Sequence, residues 1–353
     1  MGAPVETPER RAAASGAEGA RSTTSRASEA GPVGPRRVRR RHLQVALGLL
    51  WLLDAGLQLQ PYMFQHGSDG FLGPISENTM GAPNPATDLV RQALTVFVAH
   101  QVAVNWTIVA VQAALGVGLL WRRSVRWALA GTLVWSAGVW VVGEGYGQLL
   151  FPQASMLTGA PGAALLYAAL AVVLWPRREP SLDEPIAGGG LGGELVARGL
   201  WVALWCGTAL LELEYGNHAP DAISAQLHET AVGQPGFLAA VETGVAHLVT
   251  GRGELVAAAL AVVQFVVGWW ALRRRTLRLS LVAGVVLSVV FWVVGQGLGG
   301  ILTGQGTDPN LGLPAVLFAL ALWPGARRCH ASAPPLADGP PPGLPVRGPV
   351  ASP

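Results

Sequence analysis

Trp140-Val-Val-Gly-Glu-Gly-Tyr-Gly-Gln-Leu-Leu150 returns 152 residues later as Trp292-Val-Val-Gly-Gln-Gly-Leu-Gly-Gly-Ile-Leu302. Self-similarity at a fixed period marks a duplicated architecture. Other pairs keep the same offset: Gly81-Ala-Pro83 with Gly233-Gln-Pro235, Val111-Gln112 and Gly116 with Val263-Gln264 and Gly268, and Arg123-Ser-Val-Arg126 with Arg275-Thr-Leu-Arg278. With small gaps, Leu57-Gln-Leu-Gln60 matches Leu211-Glu-Leu-Glu214, and Leu174-Trp-Pro176 matches Leu322-Trp-Pro324. Blocks in one order at a near-constant spacing point to a tandem duplication.

The medium in which the two copies fold follows from composition. Of 353 residues, 51% are hydrophobic and only 13% charged, with a mean hydropathy of +0.40. Soluble domains carry about 25% charged residues, and half that density argues against an ordinary cytosolic enzyme. Crossing about 30 Å of hydrocarbon takes about 20 apolar residues. Stretches near that length lie at 43–59, 102–121, 127–143, 163–175, 199–213, 255–272, 279–295 and 311–323. The expected fold is therefore all-α: a polytopic membrane protein of about eight transmembrane helices, built as two four-helix repeats. Four spans per unit is even, so the repeats are parallel and related by a pseudo-two-fold along the membrane normal.

Charge sets the orientation. Every one of the 24 basic residues other than histidine is Arg, and 22 fall in the N-terminal tail, the C-terminal tail or the loops after even-numbered spans. Arg91 and Arg252 are the exceptions. The positive-inside rule then puts both termini in the cytoplasm, and Trp121, Trp127, Trp175 and Trp323 beside the basic loops fit an interfacial belt. Residues 1–41 hold nine Arg against four Glu and read as a disordered basic tail that meets anionic lipid headgroups. No folded basic domain accompanies the tail, so no nucleic-acid partner is expected. The expected organisation is a tail at 1–41, membrane repeats at 42–176 and 199–324, a cytoplasmic linker at 177–198, and a Pro-rich tail at 325–353. Cys206 and Cys329 cannot meet across the bilayer, and no C-x-x-C occurs, so no disulfide framework or thiol relay is expected.

Residues 84–100 and 236–249 carry apolar residues at helical spacing and read as amphipathic helices on the outer leaflet. Residues 161–175 and 309–323 are short for a span, about 22 Å as helix. The Gly-rich stretches 143–148 and 295–300 would cover the shortfall, leaving an outward-facing depression in each half; a tilted neighbour or local thinning of the bilayer would serve as well. Asp54 lies inside the first span, where a carboxylate is costly unless paired or facing water. With Glu144, His100 and Arg91 it forms one candidate polar site, and Glu212, Glu214, His247 and Arg252 form its partner, with Gln296 at the position matched to Glu144. Such residues serve either as an ion-pair network that fixes the helices or as a proton relay or substrate site. No metal or other cofactor is expected, because no His pair has i, i+3 or i, i+4 spacing. Gly143, Gly145 and Gly147, with Gly295, Gly297 and Gly299, are neither a phosphate loop nor a channel filter and are expected to permit close helix packing. No nucleophile elbow, H-E-x-x-H or nucleotide fingerprint occurs, which disfavours an enzyme acting alone.

The layout of four spans, with a long external excursion after the first and a tight basic turn after the second, resembles the DoxX/MauE-like small membrane proteins. That resemblance covers residues 43–176 and 199–324. It implies a role beside thiol or quinone redox systems, with a partner in a membrane complex or a second copy of the chain. The repeated W-V-V-G-[EQ]-G-x-G block and the all-Arg, Ala- and Gly-rich composition resemble membrane proteins of high-GC bacteria. The expected place is the bacterial plasma membrane, and the expected function is binding or transport of a small molecule. The alternative is a non-catalytic accessory subunit of a redox complex.

Overall fold

A computed structural model describes residues 38–67, 70–77, 85–181 and 184–325. Most of the two expected tails, Cys329 and the matched Gly81-Ala-Pro83 lie outside these residues. The described chain is helical, without a strand. From the N-terminus come α1 (Arg40–Leu57), a 3-10 turn at Pro61–Phe64, α2 (Leu72–Glu77), α3 (Pro85–Ala99), α4 (Gln101–Leu120), α5 (Val125–Gly138) with a π turn at Val139–Gly143, and α6 (Ala163–Val173). Then follow α7 (Gly193–Leu211), a 3-10 turn at Tyr215–His218, α8 (Ala222–Thr230), α9 (Gly236–Val249), α10 (Gly253–Ala271), α11 (Leu277–Val294), a 3-10 turn at Gly297–Gly300 and α12 (Gly312–Leu322).

Among the described residues, five helices are long and apolar enough to cross a membrane: α4, α5 with its π turn, α7, α10 and α11. Long stretches of these helices are closed only by their own backbone hydrogen bonds, which is what hydrocarbon demands. Their large apolar side chains also face outward, among them Trp106, Leu210, Leu255, Phe265 and Trp269. In water that would be a liability; against lipid it costs nothing. The remaining stretches expected to span behave differently. α1 is 18 residues long but carries Arg40, Arg41 and Asp54, and α6 and α12 have 11 residues each, about 16 Å of helix. They begin later than Pro161 and Pro309 suggest, because Gly162 (φ +96°) and Asn310 (φ +56°) hold the intervening backbone out of the helical region.

Packing explains why these two short helices form at all. α6 and α12 lie against each other, α1 packs on α12, and α7 packs on α6. Phe318 of α12 meets Trp201 of α7 edge-on at 5.7 Å, and Tyr167 of α6 meets Trp51 of α1 at 4.6 Å. The closest lateral pairs are α1 with α4 and α7 with α10. Each is made possible by a glycine at matched sequence positions. A Cβ on Gly116 would lie 2.9 Å from the Gly48 carbonyl oxygen, and one on Gly268 would lie 2.4 Å from Cys206 Sγ. Small residues let helix backbones approach where no hydrophobic drive exists between helices in lipid. At the basic ends, Arg41 of α1 donates to the carbonyls of Leu119 and Leu120, and Arg198 of α7 donates to those of Ala271 and Leu272. Cations on the last carbonyls satisfy groups that the helix leaves open and oppose its dipole.

Candidate functional site

The duplicated Trp-Val-Val-Gly-Glu/Gln-Gly block is a device for starting the two short helices. The amide of Glu144 bonds back to Val139 O (2.9 Å) and that of Gln296 to Phe291 O (2.9 Å), a five-residue step in both places. This wide turn swings the side chain toward the following helix. Glu144 Oε1 then accepts from Ala164 N (2.9 Å) in the first turn of α6, and Gln296 Oε1 accepts from Leu311 N (3.2 Å) at the start of α12. Both fill a backbone donor that a helix N-terminus leaves without a partner. The glycines serve this turn rather than a helix–helix contact. Gly145, Gly147, Gly297 and Gly299 have positive φ. A Cβ on Gly147 would sit 1.8 Å from Pro161 O, and one on Gly299 2.4 Å from Asp308 O. Gly295 abuts Leu157 O, while Gly143 is not tightly enclosed.

Just before α6, Ser155 and Met156 cross to the other half. Glu212, fully buried at the end of α7, accepts from the Ser155 hydroxyl (2.8 Å), from Gln264 Nε2 of α10 (2.8 Å) and from Met156 N (3.3 Å). Met156 O in turn accepts from Gln296 Nε2 (3.0 Å). Three donors on one buried carboxylate form a closed polar node that ties the end of α7 to α10 and to the loop before α6.

The sequence-matched positions on the other side are Gln58 for Glu212, Gln112 for Gln264, and Thr307-Asp308 for Ser155-Met156. They do not meet in a node. They line a cavity of about 660 Å³, together with Glu144, Gln296 and the aromatic side chains of Tyr62, Phe71, Phe97 and Trp135. Gln58 and Gln112 are 4% and 6% exposed, and their Oε1 atoms have no hydrogen-bond partner; Glu144 Oε2 has none either. Asp308 is held in a turn, accepting from Asn310 N (2.7 Å) and from the Thr307 hydroxyl (2.9 Å). It lies outside the helices, and burial still pushes its carboxyl above the ordinary aspartate range, against the pull of those two donors. Behind the wall, Asp54 is 2% exposed, faces Tyr167, and stands within electrostatic reach of both Glu144 and Asp308. Among the described residues, no three His, Cys, Asp or Glu side chains converge closely enough to hold a metal ion. A second cavity, about 480 Å³ between α6 and α7, is lined mostly by Leu and Ala, with Thr208 as its one polar side chain.

The structure therefore joins Glu144 and, through electrostatics, Asp54, but it draws in few of the other expected residues. Arg91 pairs with Asp88 on its own helix (2.5 Å), and His100 is exposed at the start of α4. Glu214 is exposed, Arg252 donates to Leu248 O, and His247 packs edge-on against His228 at 5.2 Å. Glu212 belongs to the closed node, whereas Gln296, which starts α12, also lines the cavity beside Glu144. Glu242, buried in α9 with both oxygens unpartnered, has its pKa pushed up to about 7 by burial. Asp308, Gln58 and Gln112 are the lining residues that the sequence motifs do not flag, although their 152–154-residue match to the node residues is legible. The chain matches no protein-family model, no curated protein and no solved structure.

Proposed function

We propose that this chain is a multi-pass protein of a bacterial plasma membrane that binds or transports a small molecule through the cavity bounded by Glu144 and Asp308. The single observation that carries the reading is the pairing of space with unsatisfied polarity. A cavity of about 660 Å³ falls within the usual range of ligand sites, which are mostly apolar with a few convergent polar groups. Here the unpartnered atoms belong to one carboxylate, Glu144, and to the Gln58 and Gln112 amides, with the Asp308 carboxylate held beside them. In this reading the chain has eight spans in two parallel repeats with both termini cytoplasmic. The like order of α1–α6 and α7–α12, the matched glycines and the matched helix-start devices support the duplication. The Arg asymmetry supports the orientation, and α6 and α12, too short to cross alone, span with the cover of the Gly-rich turns. The cavity then opens outward, on the face away from the basic turns.

The test uses single cysteines in a chain whose Cys206 and Cys329 are replaced by Ser. Gln305→Cys at the cavity should react with a membrane-impermeant thiol reagent in intact cells, and Arg123→Cys only after permeabilisation. Labelling of Arg123→Cys from outside overturns the orientation. Gentle extraction that always brings down a stoichiometric partner, with an unreactive Gln305→Cys, would replace the binding role with that of an accessory subunit.

A further inference from the structure

We infer that the ligand of this cavity is an organic cation, an N–H-bearing ammonium or guanidinium group on an apolar body; this rests on the cavity being a binding site. Charge is the first argument. Glu144 and Asp308 are the acidic residues in the wall, and no Arg or His lines it; the chain has no Lys at all. An anionic ligand would face two carboxylates, with Asp54 behind them, and no counter-charge.

Hydrogen bonding is the second argument. Glu144 Oε2, Gln58 Oε1 and Gln112 Oε1 lack donors, and the two glutamines are more than nine-tenths buried. Buried acceptors without donors cost free energy until something donates to them. Among the lining atoms shut off from solvent, Trp135 Nε1 is the unpartnered donor, against those three acceptors and Gln234 Oε1. Acceptors thus outnumber donors, and a ligand rich in N–H groups balances them.

Part of the remaining wall is aromatic. Phe71, Phe97, Trp135 and Tyr62 line it with their rings; aromatic faces attract a desolvated cation, and the rings cover an apolar body. A bare metal ion fits none of this, since no cluster of ligating side chains exists among the described residues. The closed node supplies the contrast: there the single carboxylate, Glu212, takes its three donors from the protein itself.

The test is binding to the purified full chain in lipid nanodiscs near neutral pH, followed by calorimetry and tryptophan fluorescence. The probes are three isosteres: 2-phenylethylammonium, 2-phenylethanol and 3-phenylpropionate. The ammonium should bind at least tenfold more tightly than the alcohol, and the carboxylate should not bind. Glu144→Gln and Asp308→Asn should each weaken the ammonium about tenfold while changing the alcohol less than twofold. Gln296 holds its helix start with an amide, so Glu144→Gln retains the fold, and unchanged thermal unfolding of both variants checks this. Equal binding of alcohol and ammonium, or tightest binding of the carboxylate, overturns the cation assignment and leaves the cavity as a binding site. Binding of none of the three overturns both.

Discussion

The Glu212 node and the Gln58 cavity occupy sequence-matched places and have opposite characters. At the end of α7 a fully buried carboxylate receives Ser155, Met156 N and Gln264. At the end of α1 an amide stands where the carboxylate would be, the matched loop brings Asp308 instead of Met156, and a cavity opens. The difference teaches which buried acids to read as structure. A carboxylate whose donors all come from the protein locks two helices together. Carboxylates beside unpartnered amides and empty volume are left for something else to satisfy.

The largest break in that comparison should come from Glu212→Leu. It strands the Ser155 hydroxyl, Met156 N and the Gln264 amide, so it should cost about 3 kcal/mol, since each buried polar group left unpaired costs about 1–3 kcal/mol. Gln58→Leu, at the open counterpart, should cost less than about 1 kcal/mol, because no buried partner bonds to its side chain. Chemical unfolding in mild detergent measures both, and equal losses would erase the distinction between node and cavity.

Next in size is Gly147→Ala. It places a methyl group on Pro161 O in a positive-φ turn and should cost about 2 kcal/mol, the scale of a strained left-handed residue. Gly244→Ala, with open space around it, should be neutral or slightly stabilising. If Gly147→Ala melts at the wild-type temperature, the helix-start device is not what positions Glu144.

Smaller still is the contrast at Glu144 itself. Glu144→Ala removes a cap and should cost about 1 kcal/mol, whereas Glu144→Gln should stay within about 0.5 kcal/mol because an amide does the same work at Gln296. The smallest effect concerns α9, where Glu242 stands at the position matched to the buried Val90. The folded chain binds the Glu242 proton more tightly than the unfolded chain, so stability falls as pH rises toward and through about 7. Glu242→Val should therefore raise the melting temperature at pH 8 and flatten its decline between pH 5 and pH 8. An unchanged slope would mean that another group titrates.

Much of the scaffold is legible in the linear chain. The helices expected over 84–100 and 236–249 form as α3 and α9. The long apolar stretches become α4, α5, α7, α10 and α11, because apolar runs bounded by Arg turns leave few other structures open in hydrocarbon. Glu144 and Asp54 can be singled out as costly in that setting. The site's membership cannot be read in the same way. Arg91, His100, His247 and Arg252 share a predicted side of the membrane with the buried acids, but side alone does not bring side chains together. Each finds a local partner or remains exposed.

Asp308 lies 254 positions from Asp54 and in no sequence motif. It reaches the site because the loop before α12 crosses to the other half. By itself the sequence determined the helical class, the internal match and the charge asymmetry, since each depends on local composition and spacing. Only the tertiary structure decided which matched place closes around its carboxylate and which opens. That choice depends on whether the crossing loop delivers donors, as Ser155 and Met156 do, or another acid, as Asp308 does.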